Sequence, residues 1–275
     1  MKRETEKVMA QEPWRQGDIL FIESVQNDPL PLMGLIINAD CDLANEKTDG
    51  VIAYLPIYSF REYLEIFWTP KYLNTYAETT IKKILTLIKA DDTEADNLLS
   101  WISHSEAENI IAKLSSLNSL KPTQVEEIKS CIYKLQICID TSLPPLIRLC
   151  HLCKKEKDPD KALKKQLSGA KNAMGNDHFF INDMVGQEDV GFVIRMRRIY
   201  TILKKHCFTS KAEQGSSSDG KTTTAVRVAR LMPLYQFKVA QIFAQQYSRI
   251  GLPDEITAMC DVAIEIVTSS LLQET

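Results

Sequence analysis

Asp40-Cys41-Asp42 sets two carboxylates around a thiol at the end of the apolar run Gly34-Leu35-Ile36-Ile37-Asn38. If the strand continues through them, alternation puts both carboxylates on one face and Cys41 on the other. Such an acidic edge suits a divalent cation that keeps several waters, or the basic groups of a partner. The competing and favoured reading is a turn whose carboxylates cap backbone amides near Leu43 and Asn45. A nucleophilic Cys41 is least favoured, because flanking carboxylates push a thiol pKa upward and remove thiolate.

A second group is basic. Arg195, Arg197 and Arg198 fall on or just after the run Gly191-Phe192-Val193-Ile194. Period two puts Arg195 and Arg197 on one face, a fork for phosphate or carboxylate. Lys164 and Lys165, in the lysine-rich stretch Asp160–Lys171, would add contacts to a nucleic-acid backbone. An ordinary solvated edge explains these residues equally well, as it does Arg227, Arg230 and Arg249, which are read as lying on C-terminal helices. His178 follows Asp177 and could act as a base, although a strand-end histidine satisfied by its neighbour is favoured.

Two motif matches weaken in context. Cys150-His151-Leu152-Cys153 is one C-x-x-C pair, and tetrahedral zinc commonly needs two. Cys131 and Cys138, two helical turns apart, have the wrong spacing for the second, so packed core thiols are favoured over a Cys131/Cys138/Cys150/Cys153 site. Gly215-Ser216-Ser217-Ser218-Asp219-Gly220-Lys221-Thr222 matches the phosphate-loop pattern letter for letter. A phosphate loop leaves a buried strand and opens a helix, whereas polar Thr209–Gln214 precedes this one. No cofactor is expected.

The chain that must position these residues has 275 of them, 44% hydrophobic and 25% charged. That excludes a disordered chain, a collagen-like fibre and a disulfide-stapled miniprotein. Only 10 glycines argue against a fold with several phosphate loops. The formal charge is −3, yet Lys154–Arg230 carries 16 Lys and Arg against 9 Asp and Glu. Interleaving of the signs favours a solvated face over a nucleic-acid patch. No apolar stretch follows the charged start, and none approaches the roughly 20 residues of a membrane helix. The seven cysteines sit mostly among aliphatic residues, as reduced thiols do. The expectation is a cytoplasmic protein with no membrane contact and no evident small-molecule substrate.

Strands are expected at Ile19–Ile22, Gly34–Asn38 and Val51–Ile57, the first two separated by a loop at Gln26–Pro31. Apolar residues then recur at three and four positions: Ile81, Ile84, Leu85 and Ile88; Ile110, Ile111 and Leu114; Ile128, Ile132 and Leu135. These predict amphipathic helices to about Leu152, one of them starting at Lys121-Pro122-Thr123. Pro144-Pro145 is a connector or a first helical turn. Strands return at His178–Ile181 and Gly191–Ile199, Lys211–Thr224 reads as a mobile loop, and helices follow at Leu234–Ile250 and Asp254–Leu272 around Gly251-Leu252-Pro253. Phe237, Ala240, Phe243, Ala244 and Tyr247 form a stripe expected to pack the first of these on the strands. Three strands are too few to bury two faces, so the economical solution is one small barrel with the helices inserted between its third and fourth strands.

Gly17-Asp18-Ile19-Leu20, the Pro-containing loop, Gly34-Leu35-Ile36-Ile37-Asn38, Asn45 and Tyr54-Leu55-Pro56-Ile57 resemble the opening of the MazF/PemK-like small barrels. Gly191-Phe192-Val193-Ile194 with Arg198-Ile199 looks like their late strand, which a C-terminal helix trails. The resemblance covers about 90 of 275 residues and implies an α+β fold. A small SH3-like β-barrel would span 13–57 plus 176–275 as one discontinuous domain, interrupted by an α-helical insertion domain at 58–175, with C-terminal helices packed on the barrel. The family's ribonucleases place an Arg in the turn before the second strand, where it would stabilise charge on the scissile phosphate. Between Asp18 and Asn38 this chain has no Arg or Lys. The expected function is therefore a non-catalytic interaction component with a protein partner, in a bacterial system of the toxin–antitoxin or phage-defence type. The alternative is a diverged metal-dependent nuclease or nucleic-acid-binding protein, with Asp40 and Asp42 holding the metal and Arg195 and Arg197 the backbone.

Overall fold

Aliphatic runs with few polar interruptions mark strands buried on both sides, and β2 (Asp18–Glu23) shows the effect: adjacent Ile19 and Leu20 are both fully buried. The computed structural model describes residues 4–25, 30–117, 120–247 and 262–268. Among them, β2 joins β1 (Thr5–Glu6), β3 (Met33–Ile36), β4 (Val51–Ser59), β5 (His178–Asp183), β6 (Val190–Arg195), β7 (Tyr200–Leu203), β8 (Cys207–Phe208) and β9 (Thr224–Leu231). The spatial order is β1-β9-β2-β3-β4-β6-β5, with β7 on β4 and β8 on β9. All pairs are antiparallel except β8 with β9. Glu4 nearly closes the sheet into a barrel, because its carboxylate accepts the backbone and side-chain N–H groups of Asn182 on β5. Thr5 Oγ1 accepts the Val185 N–H beside it, at 2.8 Å.

β4 is long because it serves two partners on one edge. Val51–Tyr54 pair with β7 and Ile57–Ser59 with β6, while β3 lies along the other edge. The handover falls at Leu55-Pro56, where the proline ring has no N–H to offer a partner. Gly34 of β3 faces Tyr54 so closely that a Cβ would lie 2.2 Å from the ring. The ring it admits is buried and stacks on Tyr200 at 5.6 Å.

Short helices α1 (Asp40–Ala44) and α2 (Phe60–Tyr63) flank β4 in the chain. A Ser59–Glu62 capping box starts α2. A wide π-helical turn, Leu64–Trp68, then leads without a break into α3 (Thr69–Ile88). Next come α4 (Ala95–His104), α5 (Ala107–Leu117), α6 (Pro122–Ile139), α7 (Pro145–Cys153) and α8 (Pro159–Asn172), all before β5. The expected spacing is the buried stripe: Ile81, Ile84 and Leu85 pack with Leu98, Ile102, Ile110, Leu114, Ile128, Ile132 and Leu135. This core is separate from the barrel's, where Ile19, Leu35, Leu55, Ile57, Phe192 and Leu231 meet. Pro122 and Pro145 each open a helix, where a missing N–H is harmless. No helix among the described residues is long and apolar enough to cross a membrane.

Three expectations are corrected and a fourth holds in part. The strand ending at Asn38 stops at Ile36, and Asp40-Cys41-Asp42 begins α1. The run Gly191–Ile199 ends as a strand at Arg195; β7 starts separately at Tyr200. Lys211–Thr224 is not one long loop, because α9 (Lys211–Ser217) is capped by Ser210 and anchored by Gln214, whose Nε2 donates to Glu23 and Thr224. Finally, α10 (Pro233–Tyr247) docks on the barrel through Tyr235, Val239, Ile242 and Phe243, while Phe237 is 70% exposed. The expected Gly251-Leu252-Pro253 break, Arg249, Cys260 and most of the loop at 26–31 lie outside the described residues, as does most of the expected helix at 254–272, of which 262–268 are helical.

Candidate functional site

β5 and β6 pair so that His178 faces Arg195 in register. The chain turns sharply after Arg195, with Met196 N–H donating to Asp177 O at 2.9 Å. One carboxylate thereby gathers two bases: His178 Nδ1 lies 2.9 Å from Asp177 Oδ1 and Arg197 Nε 2.6 Å from Oδ2. The Asp177 bond fixes the imidazole with Nδ1 protonated and Nε2 as its acceptor, an assignment drawn from the hydrogen bond. Tyr63 packs edge-on to the imidazole at 5.4 Å. Burial holds the His178 pKa below its ordinary value, and the Asp177 carboxylate offsets only part of that. Burial alone would raise Asp177, but His178 and Arg197 hold it low.

Cations cover ring faces around this pair. Arg195 lies 3.8 Å from the Phe67 centroid, Lys171 4.3 Å from Phe180, and Arg198 4.8 Å from Tyr200. The π-helical turn after α2 carries Phe67 to Arg195. Such pairs are worth about 0.5–1 kcal/mol at exposed sites and more when desolvated. Arg195 Nε is buried without a hydrogen-bond partner among the described residues. Arg195 and Arg197 do not share a strand face, because the strand ends between them. Lys164 and Lys165 are exposed on α8 and take part in no ion pair among the described residues.

The acidic trio is arranged differently from a strand edge. Asp40 and Asp42 are two apart in a helix, about 200° around its axis, so they do not share a face. Asp40 Oδ1 accepts the Gln16 N–H at 2.7 Å, tying α1 to the start of β2. The Leu43 and Asn45 amides are instead taken by backbone oxygens of Ala39 and Cys41, which corrects the expected capping turn. Cys41 is exposed, with Sγ 3.6 Å from Asp42 Oδ1. No hydrogen bond or ion pair among the described residues joins Asp40 or Asp42 to Arg195, Arg197 or Arg198.

Cys131, Cys138 and Cys153 are buried and Cys150 partly so. Burial raises the first three thiols, Cys138 to about 11. No group of three or more His, Cys, Asp or Glu among the described residues is placed to hold a metal ion. The Gly215–Thr222 segment runs from helix α9 to strand β9, the reverse of a phosphate loop. The Lys221 N–H donates to Asp219 Oδ1 at 2.9 Å.

Sequence reasoning missed the most connected charges among the described residues. Asp18 is fully buried at the start of β2, and Arg227 and Arg230 of β9 both reach it. Residues three apart on a strand ordinarily point to opposite faces. A bulge resolves this: Ile19 pairs with Ala229 and Leu20 with Arg227, leaving Val228 as the extra residue. Arg230 Nε donates to Asp18 at 2.5 Å and Nη1 to Glu12 at 3.1 Å. Arg227 donates to Asp18 and to the carbonyls of Met9, Glu12 and Pro13, with Trp14 stacked 4.9 Å away. The expected placement of these arginines on helices is thus corrected; the β-branched residues Thr224, Val226 and Val228 were the available signal of a strand. Comparison of the chain with family models, curated proteins and solved structures finds no match in any of the three.

Proposed function

We propose that this chain is a non-catalytic protein-interaction or scaffold component of a bacterial multi-protein system, of the toxin–antitoxin or phage-defence type that the MazF/PemK-like resemblance implies. In this reading the barrel is SH3-like, 13–57 and 176–275 are one discontinuous domain, and 58–175 is its helical insertion domain. One observation carries it: α10 turns Leu234 (72% exposed) and Phe237 (70%) into solvent. Three apart, they share a helix face, and α10 holds one lysine and no acidic residue. A weakly charged apolar face of this kind suits an apolar groove on a different polypeptide. Val262, Ile264, Ile266 and Val267 are exposed in the same way.

The test is the mass and composition of the assembly purified from its native cells, wild type against Leu234→Glu/Phe237→Glu. The wild type is expected with a second polypeptide at fixed stoichiometry and the variant as a single folded chain. A wild-type protein that is monomeric at micromolar concentration, or that binds only itself, overturns the reading.

A nucleic-acid-binding protein or diverged nuclease is the second reading, favoured by the cations stacked on Phe67, Phe180 and Tyr200 around Asp177 and His178. Interleaved rings and basic groups suit single strands. RNA and DNA binding, and cleavage with and without magnesium, compared with Asp40→Ala and Arg195→Ala, decide it. Neither binding nor cleavage, or indifference to both changes, removes it.

A further inference from the structure

α10 does not seal the barrel end it covers. Between it and the starts and ends of β2, β3 and β9 lies a half-enclosed cavity of about 130 Å³. Its walls are Leu35, Ile37, Leu231, Val239, Ala240 and Phe243, with the carboxamides of Gln16 and Gln236 as polar lining, and no charged side chain. Protein interiors leave few voids larger than a water molecule, and a hydrocarbon-lined cavity of roughly 150 Å³ is large enough to take benzene. The space is thus sized for one ring.

The polar lining is also specific. Gln16 Nε2 is already engaged with Ile37 O at 3.0 Å. The Gln236 side chain makes no hydrogen bond among the described residues, although it is held against the turn before β2. Gly17 there has φ +86°, and a Cβ would stand 3.1 Å from Gln236 Cγ, so only glycine lets this side chain lie across the turn. The Gly17 backbone is itself pinned: its N–H donates to Ile36 O, and its carbonyl accepts the Leu231 N–H, both at 2.9 Å. A rigid turn therefore presents an unengaged carboxamide beside an apolar, ring-sized space.

We propose that this cavity is a binding site for a small, neutral, single-ring aromatic compound bearing one hydrogen-bonding substituent, which meets Gln236. The absence of lining charge disfavours anions and cations, whose desolvation nothing in the wall would offset. Two rings exceed the volume. This site is independent of the outward face of α10 invoked above, since Val239, Ala240 and Phe243 line it while Leu234 and Phe237 face solvent.

The experiment titrates the full-length protein with phenol, followed by amide chemical shifts, with benzene, benzoate and naphthol as comparisons. Phenol is expected to bind in the millimolar range or tighter, with shifts centred on Gly17, Leu231 and Ala240, and benzoate and naphthol not to bind there. Gln236→Ala should bring phenol down to the level of benzene, a loss of up to about tenfold for one neutral hydrogen bond. Ala240→Phe should fill the space and abolish binding, and Ala240→Leu, a smaller change, should weaken it if the Phe variant does not fold. No phenol shifts at these residues, or binding unchanged in Gln236→Ala and in whichever Ala240 variant folds, overturns the proposal.

Discussion

Changing Asp18 to Ala removes the single carboxylate to which Arg227 and Arg230 both donate, and also the acceptor of the Arg15 N–H at 2.9 Å. Both arginines are buried, at 5% exposure each. Removing one partner of a buried ion pair destabilises by about 3–5 kcal/mol. The lower end applies here, because Arg227 keeps carbonyls at 2.9, 2.9 and 3.0 Å and Arg230 keeps Glu12 and the Pro13 carbonyl. About 3 kcal/mol corresponds to roughly 6–12 °C in Tm for a chain of this size. The barrel and helical cores are separate, so the barrel transition is followed by itself. Trp14 fluorescence serves, in a background where Trp68 and Trp101 are Phe, since Trp14 stacks on Arg227. Urea is the denaturant, because it does not screen charge. Arg230→Ala and the double variant complete a cycle, with a coupling of at least about 1 kcal/mol expected for groups in one network. A variant within about 1 kcal/mol of wild type, or a coupling near zero, refutes the reasoning by showing that the carbonyls alone satisfy the arginines.

Two further predictions concern the sheet. Burial lowers the His178 pKa, so below about pH 6.5 the unfolded chain takes a proton that the folded chain does not, and stability falls with pH until the folded pKa is passed. The urea midpoint should fall between pH 7.5 and 5.5 in the wild type and fall less in His178→Asn; equal slopes contradict the assignment. Gly34→Ala places a methyl group 2.2 Å from the Tyr54 ring, which overpacking arguments put at about 1–3 kcal/mol. Tyr54→Val in the same chain should restore part of the lost Tm, and an unchanged Tm for Gly34→Ala would mean the ring moves freely.

Periodicity made the helices legible: Ile81, Ile84 and Leu85, or Ile128, Ile132 and Leu135, repeat with the turn of the helix and are buried where it points. The strands at Asp18, Val51 and His178 were legible as apolar runs. What escaped had its pattern broken by charge or by brevity. β9 carries two arginines in eight residues, and a bulge that breaks alternation exists only opposite β2. Asp40-Cys41-Asp42 reads as a strand's end by continuity, but Ala39 starts a helix of five residues, too short to show a period. α9 reads as a mobile loop by composition, although Ser210 and Glu213 spell a helix start, with Glu213 also bound to Thr209. The grouping of His178 and Arg197 on Asp177 depends on a turn after Arg195 that no spacing announces.

The place of β9 between β1 and β2 has a consequence for synthesis. On the ribosome, β2, β3 and β4 emerge early and can zip together, but the outer edge of β2 waits for Thr224–Leu231, which appear only after all the helices before β5. Contacts this distant along the chain form slowly, and an unpaired apolar strand edge is a template for pairing with foreign chains. Nascent polypeptides halted before Thr224 therefore carry an open seam that invites aggregation, whereas those completed through Leu231 close it with their own strand.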